Sequence, residues 1–149
     1  MRNRGGKGAP DSRWHAEVEM QVQFFDLDPM EIVWHGRYVK YLEVARCALL
    51  DRIGYNYVDM KASGYAWPVI DMHLRYVAPA RFGQRLLLRA DLVEWESRLR
   101  IEYLISDAAT GQRLNRASTT QVAVRIADGE MCFVSPPILF QKLGIDAPL

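Results

Sequence analysis

The sequence predicts an α+β fold in which one long helix lies on a largely antiparallel sheet. Three observations carry that expectation. A segment of period two opens the ordered part of the chain, a single strong segment of helical period follows, and a succession of strand patterns separated by turn residues completes it. No internal repeat or second composition interrupts the order, and 149 residues suit one domain.

From Trp14 to Phe24 the residues alternate. Val18, Met20, Val22 and Phe24 point one way, and Glu17, Glu19, Gln21 and Gln23 the other, as in a half-buried strand. Asp26-Leu27-Asp28-Pro29 then breaks regular structure, because Pro29 lacks an N–H and holds Asp28 extended. A helix is expected from about Gly36 to Ile53. Tyr38, Tyr41, Leu42, Ala45, Leu49 and Ile53 form its apolar stripe, and Arg37, Lys40, Glu43, Arg46 and Asp51 its solvent face. Gly54 supplies the stop.

Residues 55–66 read as a shorter helix or loop ending near Gly64. Trp67 to Tyr76 alternates again, with Val69, Asp71, His73 and Arg75 on one face and Ile70, Met72, Leu74 and Tyr76 on the other. Ala78 to Gly83 breaks that strand. Further strands are expected over Arg85 to Trp95, Leu99 to Asp107 and Leu114 to Ala127. Asp128-Gly129 signals a hairpin into Met131–Val134, and Pro136-Pro137 ends the sheet before a helical turn over Ile138 to Leu143.

The composition is that of a globular protein, with 50% hydrophobic and 25% charged residues and a formal net charge of +1. Such a charge gives no electrostatic drive toward nucleic acid. Residues 1–13 are basic, polar and glycine-rich, and read as a disordered tail ahead of one domain over residues 14–149. The tail lacks the apolar stretch of a secretory signal, and no run is long enough to span a membrane. Cys47 and Cys132 have no metal-ligand spacing and read as buried free thiols. These features fit a cytoplasmic protein.

Chemistry-bearing residues gather just before the long helix: Asp26, Asp28, Glu31 and His35. From spacing alone an aspartate there is a cap or turn former. The four do not share a helix face at metal-ligand spacing, so no metal site is expected. The wider pattern says more. Phe25-Asp26-Leu27-Asp28-Pro29-Met30-Glu31-Ile32-Val33-Trp34-His35-Gly36-Arg37-Tyr38, followed by an amphipathic helix, resembles the motif of the hot-dog fold thioesterases of the 4-hydroxybenzoyl-CoA thioesterase-like branch. Tyr76-Val77-Ala78-Pro79-Ala80-Arg81-Phe82-Gly83-Gln84-Arg85-Leu86 is similar to the strand break shared by many hot-dog proteins.

This resemblance implies an antiparallel sheet wrapped around one long central helix. It implies hydrolysis of an acyl or aryl thioester of coenzyme A or acyl carrier protein, with no cofactor, by a homodimer or homotetramer whose sites lie between subunits. It makes Asp28 the catalytic carboxylate, either attacking the carbonyl directly or activating water. His35 joins it, with the His35 and Gly36 amides at the helix start receiving the developing negative charge. Trp34, Tyr38, Trp67 and Arg98 are the candidate substrate contacts, and Asp26 is structural.

Two departures from the family pattern stand out. Glu31 occupies a position usually held by glycine. The turn Glu94-Trp95-Glu96-Ser97-Arg98 is more acidic than the basic turn of many coenzyme-A users, which keeps an acidic carrier protein in view as partner. The alternative is a protein that binds acyl thioesters or their carriers without turnover. The dehydratase branch is disfavoured because its Phe-Pro-x-x-Pro-Gly histidine setting is missing.

Overall fold

In the computed structural model, which describes residues 13–147, a five-stranded sheet curls around one helix. The chain forms β1 (His15–Gln21), α1 (Tyr38–Arg52), α2 (Tyr57–Ala62), β2 (Tyr65–Ala66), β3 (Val69–Tyr76), β4 (Arg85–Glu94), β5 (Leu99–Asp107), β6 (Arg113–Gln121), β7 (Val124–Arg125) and α3 (Pro137–Leu143). The sheet order is β1-β4-β5-β6-β3, with every pairing antiparallel, and β2 pairs with β7 in a separate ribbon. This is the expected hot-dog arrangement. The expected tail over residues 1–13 falls, apart from Arg13, outside the described residues.

The core forms because the alternation of β4 and the stripe of α1 meet. Leu86, Leu88, Ala90 and Leu92 of β4 are buried against Tyr41, Leu42, Ala45 and Leu49 of the helix. At ~25 cal/mol per Å2 of apolar surface, burying each such leucine contributes about 2 kcal/mol before chain entropy is counted. The opposite face of β1 and β4 is polar: Arg89 pairs with Glu17 (3.2 Å) and Asp91 (2.9 Å), and Arg85 with Glu19 (3.1 Å). No helix among the described residues is long and apolar enough to cross a membrane.

The structure departs from the sequence reading in five places. β1 stops at Gln21 because Phe24–Asp26 closes a 3-10 turn, which turns Phe24 outward. β6 stops at Gln121, since Val124 and Arg125 leave the main sheet to pair with Ala66 and Tyr65. Met131 makes an isolated bridge to Val124 where a strand over Met131–Val134 was expected. Cys47, expected inside, is exposed, because it falls on the side of α1 away from the sheet; Cys132 is half-buried.

The largest correction concerns Arg46, placed on the solvent face by its charge and found only 1% exposed. α1 packs on β1 and β4, so its flank overhangs the inner faces of β5 and β6, where Tyr103 and Thr119 bring hydroxyls into an otherwise largely apolar layer. Arg46 Nε donates to the Tyr57 hydroxyl (2.9 Å) and Nη1 to the Tyr103 hydroxyl (3.2 Å), while Nη2 pairs with Glu43. The Tyr103 hydroxyl in turn bonds Thr119 Oγ1 at 2.7 Å. Burial opposes the charge on Arg46, but the two tyrosines and Glu43 outweigh it and raise its pKa, so it stays protonated. The network is satisfied only while Arg46 is present. Arg46→Ala is therefore expected to lower unfolding free energy by about 3 kcal/mol in denaturant titration, with Arg46→Lys recovering little of it.

Candidate active site

The segment between β1 and α1 is a small hairpin. Leu27 bridges Val33, the Asp28 amide donates to the Ile32 carbonyl (2.9 Å), and the Glu31 amide donates back to the Asp28 carbonyl (2.9 Å). The far side of the hairpin is stitched to the strand break after β3: Ile32 bridges Arg81, and the Val33 amide donates to the Ala80 carbonyl (2.9 Å). Glu31 sits at φ 66°, in the left-handed region that glycine tolerates best. Its departure from the family's glycine is thus a departure in backbone strain as well as in charge.

Asp26 and Asp28 take different roles. Asp26 is buried, and its carboxylate accepts from the Gln23 amide (2.9 Å) and the Tyr41 hydroxyl (2.8 Å) and pairs with Arg37 Nε (3.0 Å). Burial, and then the bond to Asp26, push the Tyr41 hydroxyl pKa far up, so it remains a donor. Asp28 is half-buried at the hairpin's tip. Its Oδ1 accepts the Met30 amide (2.9 Å), and its other oxygen has no hydrogen bond among the described residues.

Past the hairpin, His35–Arg37 forms a 3-10 turn that leads straight into α1. The Arg37 amide bonds the Trp34 carbonyl (2.8 Å), but the His35 and Gly36 amides have no backbone partner among the described residues. They are free donors at the positive end of a 15-residue helix. Gly36 lets the Trp34 ring lie close over the turn: a Cβ there would come within 2.5 Å of the ring's outer edge and displace it. Trp34 is half-exposed and packs against the His35 ring at 5.2 Å.

Asp28, Trp34, His35 and Gly36 therefore share one hairpin and the turn it feeds. Tyr38 is next to them but buried, with its ring against Tyr41 (5.6 Å) and Tyr76 (5.4 Å). Trp67 and Arg98 are elsewhere. Trp67 precedes β3, buried with its Nε1 donating to the Tyr55 hydroxyl (3.3 Å). Arg98 lies on the β4–β5 turn in an ion pair with Glu94 (2.8 Å). Both occupy the Val69 end of β3, whereas the hairpin meets its Tyr76 end, about 25 Å away at ~3.3 Å per residue. Among the described residues, no three His, Cys, Asp or Glu side chains converge as metal ligands would.

Two residues beside the site were not singled out from sequence. The Tyr76 hydroxyl donates to the His35 carbonyl (2.7 Å) and its ring meets the His35 ring edge-on, so it braces the turn that carries the free amides. Its position at the head of the Tyr-x-x-Pro strand break was the available signal. Asn115 lies across the strand pair from Tyr76, fully buried, and neither polar atom of its amide has a partner among the described residues. Leaving a buried polar group unbonded costs about 1–3 kcal/mol. An asparagine amid β6 gave no such warning, because that strand shows little alternation.

The comparisons agree with this fold. The profile of the thioesterase-like superfamily matches residues 22–141. The provisionally assigned esterase sll0410 of Synechocystis is 31% identical over 136 residues, covering 91% of this chain and 81% of that protein. The acyl-acyl carrier protein thioesterase ATL3 of Arabidopsis thaliana is 31% identical over 87 residues, covering 58% of this chain and 44% of that protein. In structure, the 1,4-dihydroxy-2-naphthoyl-CoA thioesterase Slr0204 of Synechocystis superposes with a TM-score of 0.77 at 24% identity, over 90% of this chain and 99% of that one. With the motif, the fold and a match over most of its length in agreement, the chain belongs to the thioesterase-like superfamily.

Proposed function

We propose that this protein hydrolyses an acyl or aryl thioester of coenzyme A or acyl carrier protein, with Asp28 as nucleophile or general base. The observation that carries the reading is the pairing of a carboxylate oxygen left free on Asp28 with the free amides of His35 and Gly36, on one braced hairpin and turn. A thioester carbonyl seated on those amides would present its carbon to the carboxylate or to a water beside it. As the carbonyl oxygen becomes negative, the amides and the helix dipole favour it, a gain of about 3 kcal/mol per donor in comparable sites. Collapse of the tetrahedral adduct expels the thiolate. Direct attack leaves an anhydride on Asp28 that water then opens, whereas general-base attack gives the acid in one step.

The same reading makes the protein a homodimer, or a tetramer built from such dimers, and β3 supports it. β3 is an edge strand whose outer side is unpaired among the described residues, and Ile70 (58%) and Tyr76 (49%) are strongly exposed. An open edge of this kind is a template for pairing. Its sequence is self-complementary about His73. Antiparallel pairing with a second copy centred there sets Asp71 opposite Arg75 of the second copy, twice by symmetry, and Met72 opposite Leu74. Moving the centre to Leu74 would set His73 against Arg75, and moving it to Met72 would leave Arg75 without its acid. The His73-centred arrangement also brings the Val69 end of the second copy, with Trp67 and Arg98 nearby, to the Tyr76 end where Asp28 lies. The candidate substrate contacts that one chain holds far apart would then flank one site.

Two measurements test these statements. Asp28→Asn is expected to lower thiol release from an acyl-CoA or acyl-carrier panel by roughly 1000-fold while melting temperature and ligand binding hold; retention of most activity would exclude the mechanism. For the assembly, His73→Cys in a background lacking Cys47 and Cys132 is expected to form a disulfide-linked dimer under mild oxidation. Antiparallel partners have Cα atoms about 4.5–5.5 Å apart, within disulfide reach. Asp71→Cys should link to Arg75→Cys but not to itself, and the reverse pattern, or a monomer in sedimentation, would overturn the pairing.

A further inference from the structure

We infer that the outer face of the sheet beside the hairpin docks an acidic acyl carrier protein, with Arg81, Arg113 and Arg116 set around the apolar side chains of Val77 and Phe82. The inference rests on the proposed thioesterase site and chooses between the two carriers of its substrate. Arg75, Arg81, Arg113 and Arg116 are exposed, and their guanidinium groups have neither an ion pair nor a hydrogen bond among the described residues. Every other described arginine has an acid, a hydrogen-bond acceptor or an aromatic ring as partner. The exceptions are not scattered. All lie at the end of β3 and β6 that adjoins the hairpin.

Register places them together. Arg75 and Arg116 are direct cross-strand partners, and Arg116 lies opposite Leu104, whose other partner is Arg89 of the ion-paired outer face. Arg113, opposite Ser106, is on the same face, roughly 7 Å along β6. Like charges directly opposite one another destabilise a strand pair, so stability alone does not account for the arrangement. Gln112, next to Arg113, shares a cavity with Arg81 and Phe82 of the strand break. Val77 (52% exposed), whose amide bonds the Leu114 carbonyl, and Phe82 (63%) add apolar surface among these cations. Asp107, in the same cavity, is already engaged: its oxygens accept from Gln84 Nε2 (2.6 Å) and from the amides of Ala109 and Thr110 (2.8 Å each).

The cations border the proposed site. Arg81 bridges Ile32, whose carbonyl accepts the Asp28 amide, so two cross-strand steps, about 10 Å, separate Arg81 from Asp28. Val33 and Ala80 are buried on the inner side of this ladder, which turns Ile32 and Arg81 outward. A nucleotide's phosphates are gripped best by donors that converge on one point. These arginines instead spread over an open face around apolar side chains, as in a protein interface with a polar rim. An acidic carrier protein complements that charge, and its thioester hangs on a flexible arm that can reach Asp28 from a docking point outside the site. Pairing β3 with a second copy would bring Asp71 of that copy to Arg75, so the other three arginines carry the contact.

The experiment gives the full-length protein one acyl group, octanoyl, on a bacterial acyl carrier protein and on coenzyme A. The double reversal Arg113→Glu with Arg116→Glu is expected to lower kcat/KM on the carrier substrate by roughly tenfold or more, mainly through KM, and to leave the coenzyme A substrate within about twofold. Arg113→Lys with Arg116→Lys should keep most of the carrier activity, and added salt should weaken wild-type KM for the carrier more than for coenzyme A. An equal loss on both substrates would overturn the inference in favour of nucleotide phosphates on this face. No loss on the carrier would leave a solvated surface, and a changed oligomeric state in sedimentation would make the face a contact between copies. Should neither substrate be hydrolysed, the thioesterase reading itself fails. Binding of the holo carrier protein, followed by fluorescence anisotropy, then decides separately: binding that the double reversal weakens supports the docking surface, and absent or unchanged binding sinks it.

Discussion

A buried carboxylate holds the site in place. Asp26 bonds the amide of Gln23 just after β1, the hydroxyl of Tyr41 in the first turns of α1, and the guanidinium of Arg37 at the entry to that helix. One side chain thus ties three consecutive pieces of chain at a single point. A carboxylate removed from water needs such donors to remain there, and each donor is itself held: Tyr41 by burial in the core, Arg37 by its second bond to the Phe25 carbonyl (3.0 Å). The hairpin bearing Asp28 hangs from this tie. Asp26 supplies the anchor, and one oxygen of Asp28 is left without a hydrogen bond among the described residues because the anchor needs only one acid.

The remaining geometry follows from packing α1 off-centre. The helix covers β1 and β4, so the inner faces of β6 and β3 must be satisfied by something else. Part of the answer is internal, in the chain from Glu43 through Arg46 to Tyr103 and Thr119. On β3 the partly buried Met72 and Leu74 and the half-exposed Tyr76 lie beyond the helix, while the fully buried Asn115 behind them is unpartnered among the described residues. A core designed for stability alone would have filled these positions with apolar side chains that meet the helix.

The site and the assembly are therefore linked. The open edge of β3 begins beside Trp67 and ends beside His35, so an antiparallel two-fold is the operation that superimposes one end on the other. The acidic turn at Glu94 and Glu96 would then face the site of the other copy, with Arg98 held by Glu94 rather than free to meet phosphates. On this arrangement the choice between coenzyme A and a carrier protein depends on a surface that no single chain completes.

The sequence by itself determined the helix, the main strands and the break in regular structure at Asp26 to Pro29. Alternation in β1, β3 and β4 and the stripe from Tyr38 to Ile53 are consequences of local periodicity, and the Asp-x-Asp turn ahead of a helix is visible wherever Pro29 breaks the chain. Tertiary structure decided what periodicity cannot express. A charge at a helix position reads as solvent-facing, so the burial of Arg46 became visible only once Tyr57 and Tyr103 were brought to it from 11 and 57 residues away. β6 carries so little alternation that nothing local distinguishes the isolation of Asn115 from the satisfied Thr119 on the same face. Trp67 and Arg98 were assigned to one site with Asp28, and within one chain the length of β3 holds them apart, because distance along a sheet is fixed by register and strand length rather than by residue type.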